Sequence, residues 1–467
     1  MVNILKRRSI DATKGPILSQ FILFAIPIAI GGIIQTLFNA ADMIVLGNFA
    51  SSVQVGAVGA TTVIISLLVQ TCIGLSGGAQ VVLSQSFGEG YGERIRKATN
   101  TTLWIAIVLG VIVTAVAIPI SEPLLHMTKC PEECLEDAAV YMKIYFAATP
   151  AIMIYNYGGA IIRSSGDSQR PLYYLIASGL LNVVLNFILC LILPRKVMAV
   201  AIATFASQVL GAALIIIHLI RMDGPCRLRL SGFLPDGRML SRIMFLGIPC
   251  ALSTALYPIS NLQIQSAINS FGASATAGNA AASTIEGLVF CFNGAFGTAA
   301  LTFVGQNYGA RMPERIRETV RKTVFFCGAV GFVVGYICLL LGRFTLIPFL
   351  PDDLLAIEYG MIRFKYLMTV FFITTMNNVV SNTLGAFGYS ALNTLNTVIS
   401  VFGFRMVWMT FIYPTYPTYD TLFQCYTISW ILSFIINLVI FAILYPKKIK
   451  KLMRSNASAL SVSEDMQ

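Results

Sequence analysis

Twelve stretches of this 467-residue chain are apolar and long enough to cross a lipid bilayer: roughly 17–40, 53–80, 98–120, 138–161, 171–193, 198–220, 242–269, 273–302, 322–341, 358–384, 389–413 and 423–445. A spanning helix needs about 20 such residues. Only 11% of the residues are charged and 56% are hydrophobic, where a soluble domain carries about 25% charge. Such a chain must place most of its surface against lipid or other buried helices. The fold expected is therefore an all-α polytopic membrane protein with twelve transmembrane helices. The first span follows Lys6, Arg7 and Arg8, as a signal peptide would. It runs too long for one and no small-residue cleavage site follows, so it reads as a retained first helix.

The net charge is +11, and its distribution decides its meaning. With the N-terminus inside, the inner segments hold 24 Lys and Arg and the outer segments with their adjoining helix ends hold seven, including Lys143, Arg363 and Lys365. Arg405 remains inside a helix. Lys and Arg concentrate on the cytoplasmic side of membrane proteins. Both termini are expected in the cytoplasm, with the chain in the cell (inner) membrane and its partner the bilayer, not nucleic acid. The ten cysteines lack zinc-ligand spacing. Cys130 and Cys134 are open to a bridge or to two free thiols.

An internal repeat carries the architecture. Gln85-Ser86-Phe87-Gly88 and Glu93-Arg94-Ile95-Arg96 return at a shift of 221 as Gln306-Asn307-Tyr308-Gly309 and Glu314-Arg315-Ile316-Arg317. At a shift of 222, Pro27 meets Pro249, Asn39 meets Asn261, Lys143 meets Lys365 and Asn156 meets Asn378. Two repeats of six helices enter the membrane in the same direction, a parallel 6+6 design found in secondary transporters with the substrate site between the halves. The expected division is an N-terminal lobe over 1–220, a basic cytoplasmic linker over 221–241, a C-terminal lobe over 242–446 and a cytoplasmic tail over 447–467.

Of 21 Asp and Glu, two fall inside apolar segments: Asp42 and Glu286. A carboxylate inside the membrane is costly, and its default reading is functional. Gln35, Asn39 and Asp42 share one helix face at i, i+4 and i+7. Asn182 with Asn186, and Thr204 with Gln208, do the same on the fifth and sixth helices. In the second half Asn261, Gln265 and Asn269 line a face around Pro258. Such amides also serve as interhelical glue at about 0.6 kcal/mol each. Glu286 is open to two readings, a functional cavity group or a carboxylate satisfied by cavity water. Gly74 and Gly78 form a small-xxx-small pair for close packing. No phosphate loop and no Ser/His/Asp arrangement is visible, which points away from an enzyme and from ATP as energy source.

In this order the motifs resemble the multidrug and toxic compound extrusion (MATE) family of secondary transporters. They are Asn39-Ala40-Ala41-Asp42 with Gly47, the Gln-x-x-Gly…Glu-Arg-Ile-Arg pair, Arg163-x-x-Gly166-Asp167, Asn182-x-x-x-Asn186 and Ala203-Thr204 with Ser207-Gln208. The resemblance implies an antiporter, a monomer without cofactor, that exports organic cations against H+ or Na+. It also implies that Asp42, Asn182, Asn186 and Thr204, with Asn39 beside them, build the cation-coupling site. Gln35, Asn156, Asn261, Gln265, Glu286 and Asn378 are the candidates for the substrate cavity. Some relatives carry a second Asp at the place of Asn186. Others use carboxylates on helices seven and ten, where this chain has Tyr257 and Thr374. The alternative is a lipid-linked sugar flippase of the same superfamily, which would line its cavity with cationic residues; here the inner helices read as nearly free of Lys and Arg.

Overall fold

The computed structural model describes residues 9–128, 130–229, 233–351 and 353–464. Lys6, Arg7, Arg8, Lys129 and the centre of the expected linker, 230–232, lie outside the described residues. Among those described, the regular structure is helical throughout: α1 (Ile17–Phe49), α2 (Ser52–Glu89), α3 (Gly92–Met127), α4 (Glu132–Ala147), α5 (Thr149–Ser164), α6 (Gln169–Ile192), α7 (Lys196–Arg221), α8 (Gly237–Asn269), α9 (Ala273–Gly309), α10 (Pro313–Leu346), α11 (Leu354–Met368), α12 (Phe371–Ala386), α13 (Ser390–Ile412) and α14 (Tyr419–Glu464).

Ten of these helices are long and apolar enough to span alone, and α4 with α5 makes one more span, bent by 43°. Pro150 at the start of α5 explains the bend, because it cannot donate the hydrogen bond that would continue α4. The α11–α12 pair is the twelfth by the repeat. Both of its helices start where the larger repeat shift carries the starts of α4 and α5, and α9 and α10 start where the smaller one carries those of α2 and α3. For these four pairs the repeat read from scattered identities is kept helix by helix. α14 runs on through the stretch expected as the tail as far as Glu464.

Two compact units divide the chain, and each exchanges half a helix with the other repeat. One consists chiefly of Ile30–Ala251; the other takes Asp11–Ala29 together with the chain from Leu252 onward. The cuts within α1 and α8 fall at equivalent positions of the repeat, each just beyond a matching proline, Pro27 or Pro249. A proline inside a helix removes a backbone hydrogen bond and lets the axis change direction.

Within the first unit, Gly78 backs directly onto the backbone of Gly247 in α8, and a Cβ there would overlap Gly247 N and Cα. The repeated Gln…Arg motif finds its use in the second unit. Gln306 Oε1 accepts from Ala12 N at 3.0 Å and Asn307 Nδ2 donates to Ala12 O at 3.1 Å. Arg315 donates to the carbonyls of Ala12, Lys14 and Gly15 at 2.9, 2.6 and 2.8 Å. The motif therefore fastens the segment that leads into α1. Its counterpart in the first unit, Gln85, is bonded to Arg242 of α8.

Candidate functional site

A cavity of about 540 Å3 opens inside the first unit, walled by α1, α2, α4, α5, α6 and α7. Gln35, Asn39 and Asp42 of α1 line it together, as their helical spacing requires, and Asn156, Asn182 and Thr204 line it from three other helices. Asn186 lies just behind the wall, fully buried. Its amide donates to Asp42 Oδ1 at 2.5 Å and to Asn182 Oδ1 at 3.3 Å. Asn182 in turn donates to Thr204 Oγ1 at 3.5 Å, and Thr204 returns its hydroxyl to Val200 O at 3.0 Å. Gln35 donates to Asn39 Oδ1 at 3.3 Å. Asn39 thus shares the cavity with the Asp42 chain, and its hydrogen bond runs to Gln35.

Two features set this carboxylate apart. No Lys or Arg pairs with Asp42 among the described residues, so neutral amides surround a group that carries a full charge when ionised. Asn186 Oδ1, beside it, is buried without a hydrogen-bond partner. Asp42, Asn186, Asn182 and Thr204 thus form one chain of side-chain hydrogen bonds, and their side-chain oxygens are of the kind that hold a hard cation. Aromatic walls complete the site: Phe38, Tyr141, Tyr145 and Tyr155 all face the cavity. Sequence reasoning missed Tyr141 and Tyr145. Their spacing of one helical turn on α4 was the available signal, but in a membrane span it is the same for core packing.

The second unit is organised differently. Glu286 does not stand free: Arg363 Nη2 and Nε reach its Oε2 at 2.6 and 2.7 Å, and both side chains are almost fully buried. Arg363 Nη1 also donates to Asn279 Oδ1 at 2.6 Å. From there the chain passes through Gln265 (3.1 Å) to Asn269 (2.9 Å). Arg405, 2% exposed, donates to Asn261 at 2.9 Å and to Ser429 at 3.2 Å, with the Tyr426 ring 4.3 Å away. Asn378 donates to the backbone and side-chain oxygens of Asn293 at 2.7 and 2.9 Å.

Two expectations are corrected here. Arg363, assigned to an outer helix end, is a buried partner of Glu286, and the second unit is not free of interior arginines. Glu286 has a guanidinium as its partner, where the sequence had offered a functional cavity group or one satisfied by cavity water. Asn261, Gln265, Glu286 and Asn378 lie in the second unit's own polar networks, while Gln35 and Asn156 line the cavity of the first. Lys143 and Lys365 pair with Glu122 (2.6 Å) and Asp420 (3.6 Å). Cys130 and Cys134 are free thiols.

The repeat shift shows how far the two halves have diverged. Under the shift that pairs Pro27 with Pro249, the counterparts of Asp42, Asn182, Asn186 and Thr204 are Ile264, Phe404, Trp408 and Tyr426, and Arg363 stands for Tyr141. At these positions the second unit carries an aliphatic residue in place of the carboxylate, three aromatic rings and a cation.

Against known proteins, the chain is 24% identical over 326 residues to the probable multidrug resistance protein YoeA of Bacillus subtilis strain 168, covering 68% of this chain and 70% of that protein. It is 25% identical over 373 residues to the probable multidrug resistance protein NorM of Thermotoga maritima, covering 78% and 80%. Among solved structures, a MATE transporter in complex with MaL6 superposes with a TM-score of 0.87 at 20% identity, covering 96% of this chain and all of that one. An outward-facing multidrug resistance MATE family transporter of the MOP superfamily gives 0.83 at 21% identity, over 96% and 99%. The MatE family model matches twice, over 27–188 and 249–411. Those two matches begin at equivalent points of the repeat, Pro27 and Pro249, and the chain belongs to the MatE family of multi-span membrane transporters.

Proposed function

We propose that this transporter, which is not an enzyme, exports organic cations in exchange for protons or sodium ions, with Asp42 as the group that exchanges them. The observation that carries the reading is the unpaired Asp42 carboxylate in a cavity of about 540 Å3 with tyrosine and phenylalanine walls. A cavity of that size holds a drug-sized molecule. Aromatic faces attract a cation, most strongly when it is desolvated. The coupling ion and the substrate compensate the same negative charge, so each weakens binding of the other. That coupling is reciprocal by thermodynamic necessity. The multidrug resistance names of the relatives support efflux as the direction. A lipid-linked sugar flippase would set cations in the cavity wall, and none of the residues lining this one is Lys or Arg.

The test is transport by purified protein in sealed vesicles. A fluorescent organic cation should move against an imposed proton gradient or an imposed sodium gradient, and stop when that gradient is collapsed. Transport that continued unchanged without either gradient would refute the antiport reading.

A further inference from the structure

The long last helix carries a surface that cation export does not use. α14 leaves its apolar run at Tyr445 and stays helical through Lys447-Lys448-Ile449-Lys450-Lys451-Leu452-Met453-Arg454. One side of this stretch is fastened to the second unit. Ile449 is 1% exposed and packs with Tyr445 and Leu452 in a cluster containing Ile316, Val320 and Phe387. Lys448 lies 5.2 Å from the rings of both Tyr308 and Tyr389. The other four cations, Lys447, Lys450, Lys451 and Arg454, fall at i, i+3, i+4 and i+7 and so form one stripe. All four are exposed. No acidic residue occurs from 447 to 457. Neighbouring basic residues do have carboxylate partners (Arg317 with Glu314, Lys322 with Glu318), whereas none of the four forms an ion pair among the described residues.

We propose that this stripe binds the anionic head groups of phospholipids in the leaflet where α14 ends. Depth favours lipid over a soluble partner. The stripe begins just beyond the apolar run and rises about 10 Å along the helix, against a head-group layer of roughly 5–8 Å on each side of the hydrocarbon. Direction favours it as well, because the opposite face of the same turns is the one packed against protein. Clusters of four or more Lys and Arg immediately beyond a span attract anionic lipid in this manner. Charges needed only to orient a helix have no reason to share one exposed face.

The test uses the full-length protein in detergent with equimolar phosphatidylglycerol and phosphatidylcholine, reading retained lipid by native mass spectrometry. Wild type should retain phosphatidylglycerol in preference. The Lys447→Gln/Lys450→Gln/Lys451→Gln/Arg454→Gln variant should lose that preference by about tenfold or more. Substituting the three lysines by Arg should keep it. A charge-matched control in the first unit, Arg96→Gln/Arg227→Gln/Arg229→Gln/Arg238→Gln, should keep it too. Equal retention by wild type and the stripe variant would overturn the proposal, as would equal loss in the control. Inorganic phosphate that displaced the lipid at millimolar concentration would overturn it in favour of a soluble anion.

Discussion

At the scale of single residues, the two interior carboxylates call for opposite predictions. Asp42→Asn should abolish gradient-driven cation efflux and leave insertion and thermal stability intact. The substitution is nearly isosteric and removes only the ability to hold a proton or cation. Asn186→Ala should weaken coupling less, since the carboxylate remains. Wild-type efflux by Asp42→Asn under the same gradient would refute the mechanism. Glu286→Gln should instead cost stability, about 3–5 kcal/mol, because it strands the buried Arg363 charge. Removing both partners as Arg363→Met/Glu286→Leu should recover most of that loss in a thermal or denaturant melt. A double variant no more stable than the single one would show that the pair is not the source. Helical spacing grouped Gln35 with Asn39 and Asp42, Asn182 with Asn186, and Thr204 with Gln208, each within its own helix; that Asp42, Asn182, Asn186 and Thr204 belong together was what the family resemblance implied, and the structure joins them in one hydrogen-bond chain. Sequence reasoning misplaced Arg363 because distance from the end of an apolar run does not say which way a side chain points.

Among the elements, the spans were legible and their interruptions were not. Apolar length betrays a crossing helix, but the break between α4 and α5 lies inside one apolar run, marked only by Pro150. α13 contains two π-helical segments, Val398–Gly403 and Trp408–Ile412, on either side of the turn that carries the buried Arg405. A π turn changes which carbonyl an N–H reaches without altering composition, so no residue pattern announces it. The Gln…Arg motif was visible as a repeat, while its task depended on what it touches. Arg315→Ala should free the carbonyls of Lys14 and Gly15 and leave that of Ala12 to Asn307 alone. Hydrogen exchange over residues 12–20 should then accelerate, with the rest of the second unit unchanged. Unchanged exchange there would mean that Gln306 and Asn307 hold the segment by themselves.

For the molecule as a whole, the repeat explains both the likeness and the difference of its halves. Twelve spans in two parallel sets follow from a shift that runs through helices, prolines and clamp residues alike, yet under that shift the acid, amides and hydroxyl of one half become an isoleucine and three aromatic residues in the other, and Tyr141 becomes Arg363. Duplication therefore preserved the scaffold and let the chemistry separate. Parallel repeats also constrain topology: six spans per repeat return the chain to the side on which it began. The linker, the N-terminus and the end of α14 are then expected on one side, and the 24-to-7 division of Lys and Arg predicts that this side is the cytoplasm. In a cysteine-free background, Arg229→Cys, exposed in the linker, should resist a membrane-impermeant maleimide in intact cells and react once the membrane is opened. Glu133→Cys, exposed at the start of α4, should react in intact cells. Labelling of residue 229 from outside with protection of 133 would invert the topology. Labelling of both from outside would break the odd number of crossings between them and with it the parallel repeat, because α4 through α7 must carry the chain across the membrane three times between these two sites.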